Sequence, residues 1–374
     1  MKPKNPFLTT GYYSPEYFCN REEEIRQLQN NLLNGQSVTL TSVRRMGKTG
    51  LIKHLFYQLP HGWKGIYVDI LPTENLLQML DALATAVIQS VPEKEPFGKR
   101  VWGFIKSMRP VISFDPLNYL PQVSFDLKPK ETESHISSIL RFLEDQDFRI
   151  IVAIDEFQQI SKYPEKNTDS WLRTVIQDLN NVRFIFSGSQ QTIINNLFNS
   201  PSRPFYRSTV MLNIDKIEHL EYHRFIKERF ATGGKKIEDT VIDKMLRWAN
   251  LHTFYVQLIC NRTFSCGIQK ITEEVWHTEA HKLLAELEIV FYNYRNMLTI
   301  PQWNLLKAIA IENIVDSPTS KDFIAKYRLG SPSTVLRSLK ALLDREMAYS
   351  VYTPGGSAGY AIYDILFRHW VTSK

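Results

Sequence analysis

Five short apolar runs alternate with amphipathic stretches over the first 215 residues, and they restrict the fold more than any other feature of the chain. They are SVTLTS (37–42), KGIYVDI (64–70), RIIVAID (149–155), VRFIFSG (182–188) and STVMLNI (208–214), rich in Val, Ile, Phe and Tyr. A run without polar alternation is a strand covered on both faces. Strands of that kind separated by helices form a parallel sheet with helices on each side. The N-terminal part therefore reads as α/β.

At 374 residues the chain exceeds the roughly 250–300 residues at which one core stops growing, so it divides into domains. Hydrophobic residues make up 43% and charged residues 22%, the balance of a folded chain rather than a disordered one. The net charge of +6 is a mild excess of base, compatible with nucleic acid without requiring it. No run approaches the ~20 apolar residues of a membrane span and the first residues lack a secretory apolar core, so a cytoplasmic protein with no membrane partner is expected. Cys19, Cys260 and Cys266 are odd in number and have no C-x-x-C spacing, which argues against a disulfide framework or a zinc site.

Three domains are expected: an α/β domain at 1–215, a helical lid at 216–296 and a winged helix at 297–374. Residues 92–135 interrupt the first with six prolines and two similar runs, VISFD (111–115) and QVSFD (122–126), which read as an inserted hairpin. It could bind a ligand, cover a site as a flap, or simply decorate the fold. After residue 215 helical patterns dominate. From about 297 three helices precede a pair of strands linked across TPGGSAG, the order of a winged helix-turn-helix.

The first strand leads into TSVRRMGKTG. Gly47-Lys48-Thr49 ends the phosphate-loop pattern G-x-x-x-x-G-K-[ST], but Ser42 stands where the pattern has its first glycine. Leu51, Ile52, Leu55 and Phe56 then share one face of a helix, giving the strand, loop and helix that the chemistry needs. Unpaired N–H groups and the helix dipole favour phosphate at that point. The loop from Ser42 through Arg44, Arg45, Met46, Gly47, Lys48, Thr49 and Gly50 is expected to wrap the phosphates, with Lys48 on the β- and γ-oxygens and Thr49 on Mg²⁺. Arg44 and Arg45 are either solvated or stand at the mouth of the site facing a partner.

RIIVAIDEFQ supplies an independent second element, an apolar strand ending in two acids. Asp155 suits the Mg²⁺ shell and Glu156 suits polarisation of an attacking water. A water-activating Glu beside the metal Asp favours hydrolysis over transfer to a bound substrate. In FSGSQ, Ser187, Ser189 and Gln190 either sense the γ-phosphate or only permit a tight turn. Arg207 in FYRS could place positive charge on the transition state, in its own site or in a neighbour's.

In combination, NPFLTTGYYSPEYFCNREEEIRQL, SVRRMGKTGLI, IVAIDEFQ, FSGSQ, FYRS and GSPSTVLRSLKAL…YAIYDILFRHWV resemble the prokaryotic and archaeal-type ATPases, AAA-like members of the STAND group of signal-transduction ATPases. The resemblance covers nearly the whole chain. It implies ATP as cofactor, and it implies that Phe18, Asn20 and Arg21, with Glu24 opening the next helix, flank the adenine. It implies the nucleotide roles of Lys48, Thr49, Asp155 and Glu156 as well. The family's Gly-Asn-Pro-like lid turn is replaced here by Leu251, His252 and Thr253, and His252 suits capping or packing better than catalysis.

In GSPSTVLRSLKALLDREM, Val335, Leu336, Leu339, Leu342 and Leu343 are expected to form a buried stripe. That leaves Ser333, Thr334, Arg337, Ser338 and Lys340 outward, with Arg337 and Lys340 suited to DNA phosphates. Residues 301–374 carry nine Lys and Arg against six Asp and Glu, a small surplus, and a protein partner or self-association fits equally well. The leading expectation is an ATP-driven switch with nucleotide between the α/β domain and the lid. The competing ones are an ATP-regulated DNA-binding protein and an interaction scaffold with a vestigial site.

Overall fold

The computed structural model describes residues 2–352 and 358–373. It separates into two units, Thr10–Ile217 and Met1–Thr9 with Glu218–Lys374. The first unit runs α1 (Glu22–Leu33), β1 (Val38–Thr41), α2 (Lys48–Tyr57), β2 (Trp63–Asp69), α3 (Leu76–Gln89), α4 (Pro96–Ser107), β3 (Val111–Phe114), β4 (Pro121–Ser124), α5 (Pro129–Glu144), β5 (Arg149–Asp155), α6 (Thr168–Gln177), β6 (Val182–Gly188), α7 (Gln191–Asn199) and β7 (Val210–Asn213).

The five apolar runs form one sheet in the order β2-β5-β6-β1-β7, every neighbouring pair parallel. Side chains on a strand alternate between faces, which is why these runs are apolar throughout. On β5, Ile150, Val152 and Ile154 enter one core with Leu80, Leu83, Ile136 and Phe184, while Ile151 and Ala153 enter the other with Leu28, Leu51 and Leu55. Each of these side chains other than Ala153 contributes about 1.5–3 kcal/mol on burial.

Within 92–135 the helix α4 comes first and α5 already begins at Pro129. Only residues 111–124 form the expected hairpin, the antiparallel pair β3–β4 with Val111 opposite Ser124 and Phe114 opposite Pro121. Its second strand is fastened to α3. The Val123 and Phe125 N–H groups donate to Thr85 Oγ1 and Asp81 Oδ1, each at 2.9 Å, and both side chains are buried.

The second unit contains α8 (His219–Thr232), β8 (Lys236–Ile237), α9 (Asp239–Trp248), α10 (Thr253–Ser265), β9 (Lys270–Ile271), α11 (Glu273–Met297), α12 (Ile300–Glu312), α13 (Lys321–Tyr327), α14 (Pro332–Asp344), β10 (Ala348–Tyr352), β11 (Ala358–Ile362) and α15 (Ile365–Thr372). The expected α/β domain began at residue 1, but the first nine residues pack with this unit. Phe7 is fully buried against Phe225, Phe230 and Phe264, and Asn5 Nδ2 donates to the Asn261 carbonyl at 2.9 Å.

At the C-terminal end α12, α13 and α14 precede the antiparallel pair β10–β11, and Val315 adds a bridge to Tyr360. Most of the TPGGSAG turn, residues 353–357, lies outside the described residues. Ser331 caps α14, its hydroxyl accepting from Thr334 N at 3.2 Å. The expected stripe needs correction on two sides: Leu336 is 55% exposed and Ser338 is buried. At 100° per residue, Val335, Ser338, Leu339 and Leu342 share the inner face, and Leu336 turns away from it. No described helix is long and apolar enough to cross a membrane.

Candidate nucleotide site

In a parallel sheet every strand points the same way, so the residues following β1, β5 and β6 gather along one edge. That edge holds the phosphate loop, the acidic pair and the SGSQ turn. Arg45 (φ 61°) and Gly47 (φ 95°) take left-handed backbone as the loop curls into α2. Only glycine reaches φ 95° without strain, and Gly47 takes it at the N-cap of α2.

Ser42 has a defined place. It is fully buried, and its hydroxyl donates to the Val43 carbonyl at 2.8 Å while accepting from Lys48 Nζ at 2.9 Å. The serine thus holds the lysine that a phosphate would recruit. Lys48 is itself buried. Burial pushes its pKa down, the Asp155 and Glu156 carboxylates work against that, and Arg44 adds slightly to the lowering.

Asp155 is the hub of the edge. Its Oδ2 accepts from Thr49 Oγ1 at 2.7 Å and from Tyr67 Oη at 2.6 Å, and its Oδ1 accepts from Ser187 Oγ and from the Glu156 N–H at 3.0 Å. Glu156 follows in left-handed backbone at φ 58°. For a non-glycine residue this costs roughly 1–2 kcal/mol, a strain typical of functional positions. Its carboxylate accepts from Ser189 Oγ at 2.8 Å, from Ser189 N at 3.3 Å and from the Gln158 amide. Ser187 and Ser189 therefore serve the two acids separately, one each.

The N-terminal segment closes on the same helix. Arg21 is buried, pairs with Glu24 at 2.6 Å and directs Nη2 toward the Met46 carbonyl at 3.5 Å. Asn20 Oδ1 accepts from the Glu22 N–H at 3.4 Å. Phe18 stacks on His54 of α2, centroids 4.1 Å apart, and its ring edge would lie 3.5 Å from a Cβ at Gly50. Burial lowers the His54 pKa, and the ring sits between the Tyr12 hydroxyl and the Gln58 amide. Met46 is buried, whereas Arg44 and Arg45 are exposed.

Arg207 does not join these residues. It precedes β7, which pairs with β1 in register Val38 to Val210, so it lies on the opposite edge from the loop that follows Thr41. Four residues of strand at ~3.3 Å each separate the edges by roughly 13 Å, beyond the reach of one arginine side chain. Action on its own site is excluded by topology.

Two contributors were not anticipated from the sequence. Tyr67 stands on β2 one position from Val68, and only the β2–β5 pairing brings it to Asp155. Burial, ahead of the Asp155 charge, pushes its phenol pKa well up and keeps it a donor. Gln158 is buried behind Glu156. The aspartate-terminated strand KGIYVD, matching AID, is the sequence signal that could have pointed to Tyr67.

Residues 18–251 match an ATPase domain predominantly from Archaea. The chain belongs to that family. It is a P-loop ATPase, and residues 289–373 of the ATPase match a probable winged helix domain. Solved structures with a similar fold include a Walker-type ATPase of Pyrococcus abyssi, 16% identical, covering 98% of this chain and 99% of that one with a TM-score of 0.67. Others are the ORC2 protein of Aeropyrum pernix in ADPNP–ADP complexes (13% identity, 99% and 98% covered, TM-score 0.59) and the ORC1 protein of Aeropyrum pernix in complex with DNA (14%, 100% and 98%, 0.53). None of the curated proteins matches the ATPase.

Proposed function

We propose that the ATPase is a nucleotide-driven switch of the STAND type, in which Mg²⁺-dependent ATP hydrolysis at the loop changes how the winged helix is presented. The observation that carries this is the meeting of Lys48, Thr49, Asp155 and Glu156 on one sheet edge from segments more than a hundred residues apart. Lys48 would hold the β- and γ-phosphate oxygens once phosphate draws it from Ser42. Thr49 and Asp155 would hold Mg²⁺, and their hydroxyl and carboxylate oxygens are the hard donors that this ion takes. The bound ion would supply neutralisation of charge on the phosphates.

Glu156 would orient and deprotonate the attacking water, with Ser189 and Gln158 fixing its carboxylate. Ser187 would act through Asp155. Phe18 and Arg21 would flank the adenine, with Ser42, Arg44, Arg45, Met46, Gly47 and Gly50 shaping the phosphate pocket. Lys48→Ala is expected to abolish ATP turnover, and normal turnover by that variant would overturn the reading. Glu156→Gln should retain bound ATP while slowing hydrolysis by at least about a hundredfold, the usual scale for a lost general base.

A second reading, an ATP-regulated DNA-binding protein, draws on exposed Arg337 and Lys340 on α14 and on the DNA complex of the structurally similar ORC1 protein. It expects duplex retardation in a gel that disappears when both residues become glutamate.

A further inference from the structure

On the sheet edge opposite the phosphate loop, three arginines surround one cavity of about 340 Å³. Arg173 comes from α6, Arg183 from β6 and Arg207 from the turn before β7, joined by Ser37, Ser208 and Thr209. The volume lies at the lower end for small-molecule sites, roughly 300–1,000 Å³.

The lining contains no carboxylate, and no ion pair to any of the three guanidiniums forms among the described residues. The Glu144 carboxylate acts on Arg183 from outside the cavity, where it accepts the N–H groups of Asn180, Asn181 and Val182. Arg183 is fixed by its Nη1, which donates to the Leu179 and Val182 carbonyls at 2.9 and 3.0 Å. Arg207, with φ 51°, places its guanidinium 5.2 Å over the Tyr206 ring. Ser37 Oγ accepts from the Phe184 N–H at 3.0 Å, so its own proton is available to donate.

Three arginines therefore line one predominantly polar space, and guanidinium forks match phosphate oxygens in geometry and charge. We propose that this cavity is a second phosphate-binding site, for a small phosphate-bearing ligand and separate from the nucleotide loop. The phosphate could arrive on a free ligand or on a nucleotide held by a second copy of the chain. The free ligand is favoured, because every residue lining the cavity belongs to one unit of a single chain.

The test uses the full chain carrying Lys48→Ala, so that no copy presents nucleotide at its loop, and titrates inorganic pyrophosphate and orthophosphate by calorimetry at low salt. The expected result is one saturable pyrophosphate site per chain that weakens as salt rises. Adding Arg173→Ala should weaken it about tenfold or more, the worth of one charge-assisted contact, with the unfolding temperature unchanged. Arg173→Lys should restore part of the affinity. No saturable heat, or binding indifferent to both Arg173→Ala and Arg207→Ala, overturns the proposal. So does a pocket silent to pyrophosphate that instead supports Arg173-dependent pairing of ATP-loaded wild-type copies, which would give it to a neighbour's nucleotide.

Discussion

Ser189 and Gln158 hold Glu156 through one carboxylate oxygen, and Gln158 fits there because residue 188 carries no side chain. A Cβ at Gly188 would come within 2.2 Å of Gln158 Oε1 and 2.6 Å of Ile194. Gly188→Ala is therefore expected to push Gln158 off Glu156, lowering kcat with little change in KM and destabilising the protein by about 1–3 kcal/mol, as overpacking does. Steady-state kinetics with a thermal melt separates the two effects, and an unchanged kcat would show that Gln158 does not position the acid. Tyr67→Phe removes one of four donors to Asp155 and should cost about 0.5–1.5 kcal/mol in a denaturant melt. At this scale the loop residues and the acidic pair were legible because their spacing is local. Tyr67 and Gln158 were not, since their partners are fixed by strand pairing and by packing behind the site.

The inserted hairpin depends on a single carboxyl for part of its attachment. Burial pushes the Asp81 pKa up to about 6, the Phe125 N–H opposing it. Because the folded value lies above the unfolded one, the folded state binds the proton more tightly. Stability is then highest below about pH 4 and declines as pH rises toward 6, staying level above it. Asp81→Asn keeps an acceptor for Phe125 and removes the buried charge. It is expected to stabilise the protein at pH 7 by up to about 1 kcal/mol, discounted because the side chain is half exposed, and to change nothing near pH 4. Chemical denaturation at the two pH values checks this. The hairpin could be read from its two similar runs, and the α14 helix from its cap. Which of Leu336 and Ser338 faces inward could not be, because neighbouring helical positions differ by only 100° and the surrounding elements decide the face.

In the second unit, remote chain segments are joined through buried aromatic contacts. There α15 is pinned to α9, where His369 stacks on Trp248 with centroids 4.5 Å apart and Nε2 donates to the Trp248 carbonyl at 2.8 Å. Burial lowers the His369 pKa, the Trp248 hydrogen bond opposing it and Arg368 adding to it. The unfolded chain thus binds the proton more readily, so stability is present above the unfolded pKa of about 6.5 and is lost as pH falls through it. The melting temperature should drop between pH 7 and pH 5, and His369→Phe, which keeps the stack, should flatten that slope.

The sequence by itself determined what depends on near neighbours: five doubly covered strands, a loop able to curl around phosphate at Gly47, and two acids at the end of a strand. It did not determine the strand order, because periodicity says which faces are buried and nothing about which strand lies beside which. The order β2-β5-β6-β1-β7 puts Tyr67, Ser187 and Ser189 around Asp155 and Glu156, while the common strand direction carries Arg207 to the far edge. The same direction brings Arg183 and Arg207 to one edge, where α6 adds Arg173, around a cavity that no stretch of sequence announces. Non-local hydrogen bonding between strands, rather than any local preference, makes those decisions.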